Sequence, residues 1–304
     1  MKMEDLCRGV IIDGRFKLAE LLGSGSFGHV WRAEVVKDES GELPPEVALK
    51  IFVLHDSSDK FLFREAKTAK QFDHNRLVKI YGTERIEGLP LMWMEFVPGP
   101  SLQKMLGDSH TPSPFPLDQV LEWLAGLAEG LAHMHMQKVS HGDLKLDNVI
   151  VDPNRGVCLV DFGQSREIKD IFVDTNGNGA HPYLAPEILG REVGGEGKRY
   201  ASSDIYAAGV IAYRILTGRF PRSTMPEVFN QVPYPNPCSL NPSVPSELEA
   251  IVLKCLEKKT RNRYQTGSEL LAAIEAFRSE VKKTKRYWKC LAPNMSLPQQ
   301  QSNN

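Results

Sequence analysis

At 304 residues the chain is long enough for one large domain or two ordinary ones, and 41% hydrophobic with 25% charged residues is the balance of a globular protein. A formal net charge of −1 excludes bulk attraction to nucleic acid or an anionic membrane, so any such contact must come from a local patch. Five scattered cysteines offer no CxxC pair for zinc, and no signal-like run or stretch of roughly 18 apolar residues appears, so free buried thiols and a cytoplasmic setting are expected.

Residues 1–13 carry no strong pattern and read as a mobile or lightly docked arm. Phe16 to Leu22 and Val30 to Val36 read as strands around Gly23-Ser24-Gly25-Ser26-Phe27-Gly28. GxGxxG spacing alone is weak, because dinucleotide-binding turns share it. Those turns open a helix, whereas His29-Val30-Trp31-Arg32-Ala33 looks like a returning strand, which makes the loop a hairpin flap. Glycines there let backbone N–H groups approach phosphate oxygens. Val47 to Phe52 is an apolar strand carrying Lys50, whose ammonium needs a charged partner if buried. Glu65, on the helically spaced stretch Lys60 to Phe72, is the candidate, against the alternative of a solvated helix carboxylate. The Pro-rich 37–46 stretch reads as a loop insertion, Leu77 to Tyr81 and Leu91 to Phe96 complete a small sheet, and Pro98-Gly99-Pro100 breaks regular structure.

Ser101 to Leu106 is a short helix and Asp108 to Pro116 a surface loop. Leu117 to Gln137 places Leu121, Leu124, Leu127, Leu131 and Met134 on one face of a buried helix, and His133 and His135 read as packing or exposed residues. The organising stretch is Ser140 to Gly163. Its apolar runs Val149-Ile150-Val151 and Val157-Cys158-Leu159-Val160 read as paired strands about the turn Asp152 to Gly156. Such a pair displays Asp143, Asn148 and Asp161 near one opening, as a proton acceptor and two oxygen ligands for a hard cation such as Mg2+. Lys145 adds a positive point charge for a transferring phosphoryl group.

His141-Gly142-Asp143-Leu144-Lys145-Leu146-Asp147-Asn148 and Asp161-Phe162-Gly163 resemble the HRDxKxxN and DFG motifs of the Ser/Thr protein kinase family. Gly23-x-Gly25-x-x-Gly28-x-Val30, Val47-Ala48-Leu49-Lys50 and Ala185-Pro186-Glu187 match further motifs in order, so the resemblance covers about residues 14–278. It implies an α+β, two-lobe protein kinase fold, with a small antiparallel sheet lobe plus one helix (14–97), a larger, mainly helical lobe (98–278) and a basic then low-complexity tail (279–304). The implied activity is transfer of the γ-phosphoryl of Mg-ATP to Ser/Thr hydroxyls of proteins. Asp143 would be the base, Lys145 the γ-phosphate contact, the Lys50–Glu65 pair the α,β-phosphate anchor, and Asn148 and Asp161 the Mg2+ ligands. Gly23, Gly25 and Gly28 would cover the nucleotide, Val30 and Ala48 would roof it, Met94 would back the adenine pocket, and Glu95, Phe96 and Val97 would form the hinge. The resemblance also implies a stack of His141, Phe162, Ala69 and Ile80, an ion pair Glu187–Arg263, and bracing of the catalytic loop by Asp204.

Two positions depart from the family pattern. Gly142 stands where an Arg usually grips a phosphorylated activation loop, which puts control through Ser165 or Thr175 in doubt. Ala180 stands where a Thr usually bonds the catalytic Asp and Lys. A kinase of a small hydroxyl-bearing metabolite and a nucleotide-binding pseudokinase scaffold are the alternatives. No nucleic-acid partner and no transmembrane segment are expected. The basic run KKTKRYWK from Lys282 reads as a solvated helix end leading into disorder, with contact to an anionic surface as the alternative.

Overall fold

The computed structural model describes residues 5–25, 28–39, 41–52, 72–86, 88–108, 110–111, 115–162, 166–167, 181–188 and 200–291. The chain enters through β1 (Ile11–Ile12), which Asp13 and Gly14, at φ 54° and 63°, turn back into β2 (Phe16–Gly25). Residues 9 and 10 are tied on as well, since Gly9 N donates to Leu18 O at 2.7 Å and Leu18 N to Val10 O at 2.8 Å. β3 (Gly28–Val35), β4 (Glu46–Phe52), β5 (Ile80–Ile86) and β6 (Leu89–Glu95) complete an antiparallel sheet of order β1-β2-β3-β4-β6-β5. The fifth strand starts at Ile80 rather than Leu77 because Leu77 bridges Leu159 of the lower hairpin.

The sheet's register sorts its side chains. Val30 opposes Lys50 and Ala48 opposes Met94, so these four share one face. That face joins the main core through Ala48, Phe52, Met92 and Met94. The other face buries Phe16, Leu18, Trp31, Leu49, Ile51 and Leu91 in a core of its own. Alternation of period two in β4 thus serves two cores with one strand.

The connection out of β6 is held from below. Gly99 has φ 124°, and a Cβ there would sit 2.1 Å from the carbonyl oxygen of Val151, so glycine is required by both backbone and space. Val151 N donates to Pro100 O at 2.9 Å and Ser101 bridges Ile150. Higher up, the Glu95 carboxylate pairs with the Arg155 guanidinium at 2.9 Å.

Below follow α1 (Leu102–Leu106), the buried α2 (Leu117–Met136), β7 (Val139–Ser140), and the hairpin of β8 (Val149–Asp152) and β9 (Gly156–Leu159). β10 (Arg166–Glu167) pairs with β7. α3 (Ala201–Thr217) is buried along its whole length, and α4 (Met225–Phe229), α5 (Pro237–Leu240), α6 (Ser246–Cys255) and α7 (Gly267–Leu291) close the larger layer. α7 seats its first residue against α2, where a Cβ on Gly267 would meet Ala132 N at 2.3 Å. Among the described residues no helix is long and apolar enough to cross a membrane.

Candidate active site

The hairpin β8–β9 fixes two of the expected ligands. Val149 opposes Leu159, and one step further the Val160 N–H donates to Asn148 O at 3.0 Å, which puts Asn148 and Asp161 at the same open end. Asp161 has φ 65°, a left-handed backbone that a non-glycine residue adopts at a cost of about 1–3 kcal/mol and that collects at functional sites. Its Oδ1 lies 2.8 Å from Lys50 Nζ, whose side chain is 8% exposed, so the ammonium reaching down from β4 is met by a carboxylate from the larger lobe. Glu65, the expected partner of Lys50, lies outside the described residues, as do Ala69, Ser165, Thr175 and Ala180.

Asp143 sits in the loop between β7 and β8 with its side chain 16% exposed. Lys145 Nζ donates to its Oδ2 at 2.7 Å, and Asn148 Nδ2 donates to its backbone oxygen at 2.8 Å and to Oδ2 at 3.3 Å. The carboxylate is therefore held from two sides without being buried. Because the amide nitrogen of Asn148 faces Asp143, its side-chain oxygen is the atom that could serve a cation. With Asp161 this gives two hard oxygen donors, a set suited to Mg2+, which completes its shell with water and phosphate oxygens.

The loop is braced from below. Asp204, in the first turn of α3, accepts from His141 N at 2.8 Å, Gly142 N at 3.0 Å and His135 Nε2 at 2.9 Å. The Gly267 N–H donates to His135 Nδ1 at 3.0 Å, so Nε2 carries the proton that His135 gives to Asp204. Burial acts to raise the Asp204 pKa, but the hydrogen bonds from His135 and the Gly142 N–H outweigh it, and the carboxyl lies below its ordinary value. That depression stabilises the fold fully above the unfolded value near 4, and the contribution is lost as pH falls through the lower folded value. In Asp204→Asn an NH2 group must face one of three buried donors, and we expect a loss of about 1–3 kcal/mol in urea denaturation at neutral pH. An unchanged midpoint would show that the brace carries no stability.

The Phe162 ring is buried, with centroids 5.8 Å from His141 and 5.5 Å from Phe72. Burial pushes the His141 imidazole below its usual pKa, keeping it neutral in this stack. Ile80 lies in the same core, and Phe72, expected as part of a helical face, adds a further ring to the stack. Glu187 and Arg263 form a two-pronged pair at 2.7 and 2.8 Å, with the Arg263 side chain 0% exposed.

On the nucleotide side, Gly23 pairs with Val30 and Gly25 with Gly28 across β2 and β3, so the segment after Gly28 is a strand and the loop is a hairpin. Gly28, at φ 138°, would place a Cβ 2.0 Å from the carbonyl oxygen of Ile51, so this glycine lets β3 lie close on β4. Ala48, Met94 and Val97 are buried, Val30 is half-buried, and the Glu95 N–H donates to Lys79 O at 2.8 Å. His135 was missed, since its role depends on a partner 69 positions away.

Known proteins resemble the chain along most of its length. The sequence profile described as "Protein kinase domain" matches residues 16–273. The chain is 28% identical over 291 residues to the serine/threonine-protein kinase PrkC of Bacillus subtilis, covering 92% of this chain and 43% of the relative. It is 32% identical to the serine/threonine-protein kinase pkn2 of Myxococcus xanthus, covering 90% and 33%, and 32% identical to PknB of Mycolicibacterium smegmatis, covering 86% and 43%. The chain therefore spans less than half the length of these relatives. The crystal structure of a mutant form of the Mycobacterium tuberculosis PknI kinase domain superposes with a TM-score of 0.67 at 20% identity, covering 89% of this chain and 98% of that one, which shows the shared fold. With a profile match over most of its length on a two-lobe framework, the chain belongs to the protein kinase family.

Proposed function

We propose that the chain transfers the γ-phosphoryl group of ATP to Ser or Thr hydroxyls of proteins. The observation that carries this reading is the Asp143 carboxylate, held by Lys145 and Asn148 at the opening where Lys50 meets Asp161. Asp143 orients the hydroxyl and accepts its proton as the oxygen bonds to the γ-phosphorus and the bond to the β-phosphate bridging oxygen breaks, leaving ADP. Lys145, at hydrogen-bond distance from that base, offers its ammonium to the γ-phosphate. Lys50 serves the α- and β-phosphates, with Glu65 as the proposed second anchor. Gly23, Gly25 and Gly28 cover the phosphates, Val30 and Ala48 roof the base, Met94 backs it, and Glu95 and Val97 offer hinge backbone to its edge. Asn148 and Asp161 would hold Mg2+, which supplies charge neutralisation at the phosphates.

The Ser/Thr assignment is supported by Lys145 two positions after the base, and by relatives named as serine/threonine-protein kinases. The test is incubation of the full chain with labelled Mg-ATP and casein, with mass spectrometry of the modified residues. Label on Ser or Thr that disappears with EDTA is expected. Label confined to a small metabolite, or ATP binding with no transfer, would overturn the proposal.

A further inference from the structure

Behind the site, residues 73–78 fasten the sheet to the larger lobe. Val78 N donates to Leu159 O at 3.0 Å, Leu159 N to Arg76 O at 2.8 Å, and Leu77 bridges Leu159. Arg76 reaches further, its Nε donating to Glu129 Oε2 on α2 at 2.9 Å and its Nη1 to the backbone oxygen of Arg155. The turn that starts the segment is closed by an imidazole, since the Arg76 N–H donates to His74 Nδ1 at 3.2 Å. The His74 ring lies on the His133 ring of α2 with centroids 4.9 Å apart, and its Nε2 is 3.6 Å from Glu129 Oε1. Phe72 stands edge-on to both His133 and Phe162, at 6.2 and 5.5 Å, so rings run unbroken from His74 to the neighbour of Asp161.

We propose that His74 is an acid-sensitive pin, whose protonation at Nδ1 releases the 73–78 segment from α2 and β9. A neutral imidazole offers Nδ1 as an acceptor, whereas an imidazolium carries N–H on both nitrogens and turns one toward the Arg76 N–H. Two donors then face each other in a half-buried site. His133 Nε2 meets the Gln137 amide at 2.8 Å, and that amide can turn to suit either form; the backbone donor at His74 cannot. Among the described residues the titratable and charged groups facing His74 are Asp73 and Arg76 on its own segment and Glu129 and His133 on α2. Burial is the main cause that holds the imidazole below its ordinary pKa, Glu129 and Asp73 oppose it, and His133 and Arg76 reinforce it. Glu129 is shared with the Arg76 guanidinium, which divides its pull. The stabilisation from a neutral His74 is complete above the unfolded value near 6.5 and is lost as pH falls below it toward the lower folded value. This inference is independent of the phosphoryl-transfer reading.

The test compares the full chain with His74→Asn, whose side-chain oxygen can accept from the Arg76 N–H and does not titrate. A histidine that titrates near 6.5 when unfolded and stays neutral when folded lowers the folded-to-unfolded ratio by about tenfold between about pH 7.5 and 5.5. The His74 side chain is 23% exposed, so a several-fold drop beyond that of the variant is expected in urea denaturation. Amide hydrogen exchange at Val78 and Leu159, corrected for the intrinsic rate, should rise over the same interval in the unaltered chain and not in His74→Asn. Parallel stability curves for the two chains, or exchange that rises equally in both, overturns the proposal. Should the variant not fold, titration of the His74 ring by NMR in the unaltered chain decides: a midpoint below about 6.5 supports the pin, and one at or above it overturns the proposal.

Discussion

Asp143→Ala is expected to lower turnover by about 10²–10⁴-fold while leaving nucleotide binding in place. The argument is local. Removing the carboxylate takes away the acceptor of Lys145 and one of two acceptors of Asn148, but Asn148 Nδ2 still holds the Asp143 backbone oxygen at 2.8 Å. Asp204 continues to grip the N–H groups of His141 and Gly142, so the loop keeps its path. Lys50 and Asp161 are not touched. The loss should fall on the phosphoryl-transfer step, read as a reduced rate at saturating ATP with an unchanged dissociation constant for nucleotide. A rate equal to that of the unaltered chain would remove Asp143 from the role of base. Weaker nucleotide binding in proportion to the lost rate would show that the substitution disturbed the site as a whole.

Arg263→Ala is expected to cost about 3–5 kcal/mol of stability, a large fraction of the roughly 5–15 kcal/mol that holds a typical domain folded. The guanidinium is fully buried and all five of its N–H groups are used. It bonds both oxygens of Glu187, the backbone oxygens of Ser202, Glu257 and Lys258, and stacks over the Tyr206 ring at 4.9 Å. Alanine would leave the Glu187 carboxylate buried opposite a cavity, with the Ser203 hydroxyl, at 2.7 Å, still donating to it. Replacing both partners, as Glu187→Leu with Arg263→Met, should recover much of the loss because no uncompensated charge remains. Urea denaturation of the two variants decides the matter. A double variant as unstable as Arg263→Ala would mean that the backbone bonds of Arg263, and not its charge partner, set the cost.

The site was legible in the sequence where residues a few positions apart share one hairpin. Asp143, Lys145, Asn148 and Asp161 are brought together by a short strand pair whose turn and apolar runs can be read directly, and the β8–β9 register carries Asn148 and Asp161 to one end of it. The Glu187–Arg263 pair, 76 positions apart, came from family resemblance alone. His135 escaped notice because helical spacing says only that it lies on a buried face, not that Asp204 and the first amide of α7 meet it there. The amino-terminal arm looked unpatterned because β1 is two residues long. Its signal is the Asp13-Gly14 pair, a left-handed turn sequence with Ile12 and Phe16 paired on either side. α5 was missed for the same reason of length. The expected helix over Lys60 to Phe72 falls outside the described residues apart from Phe72, whose ring stacks on Phe162.

The way Gly99 lies against Val151 has a mechanical consequence. From that glycine onward the connector is welded to the β8 strand by van der Waals contact, by the Val151 amide and by the Ser101 bridge. Glu95, at the other end, is tied into the sheet through Lys79. Any swing that widens the mouth of the cleft must bend the three residues 96–98, a short axle with fixed bearings at both ends. The Glu95–Arg155 pair spans that axle like a strut, so the torque needed to open the cleft is set in part by one ion pair at its edge.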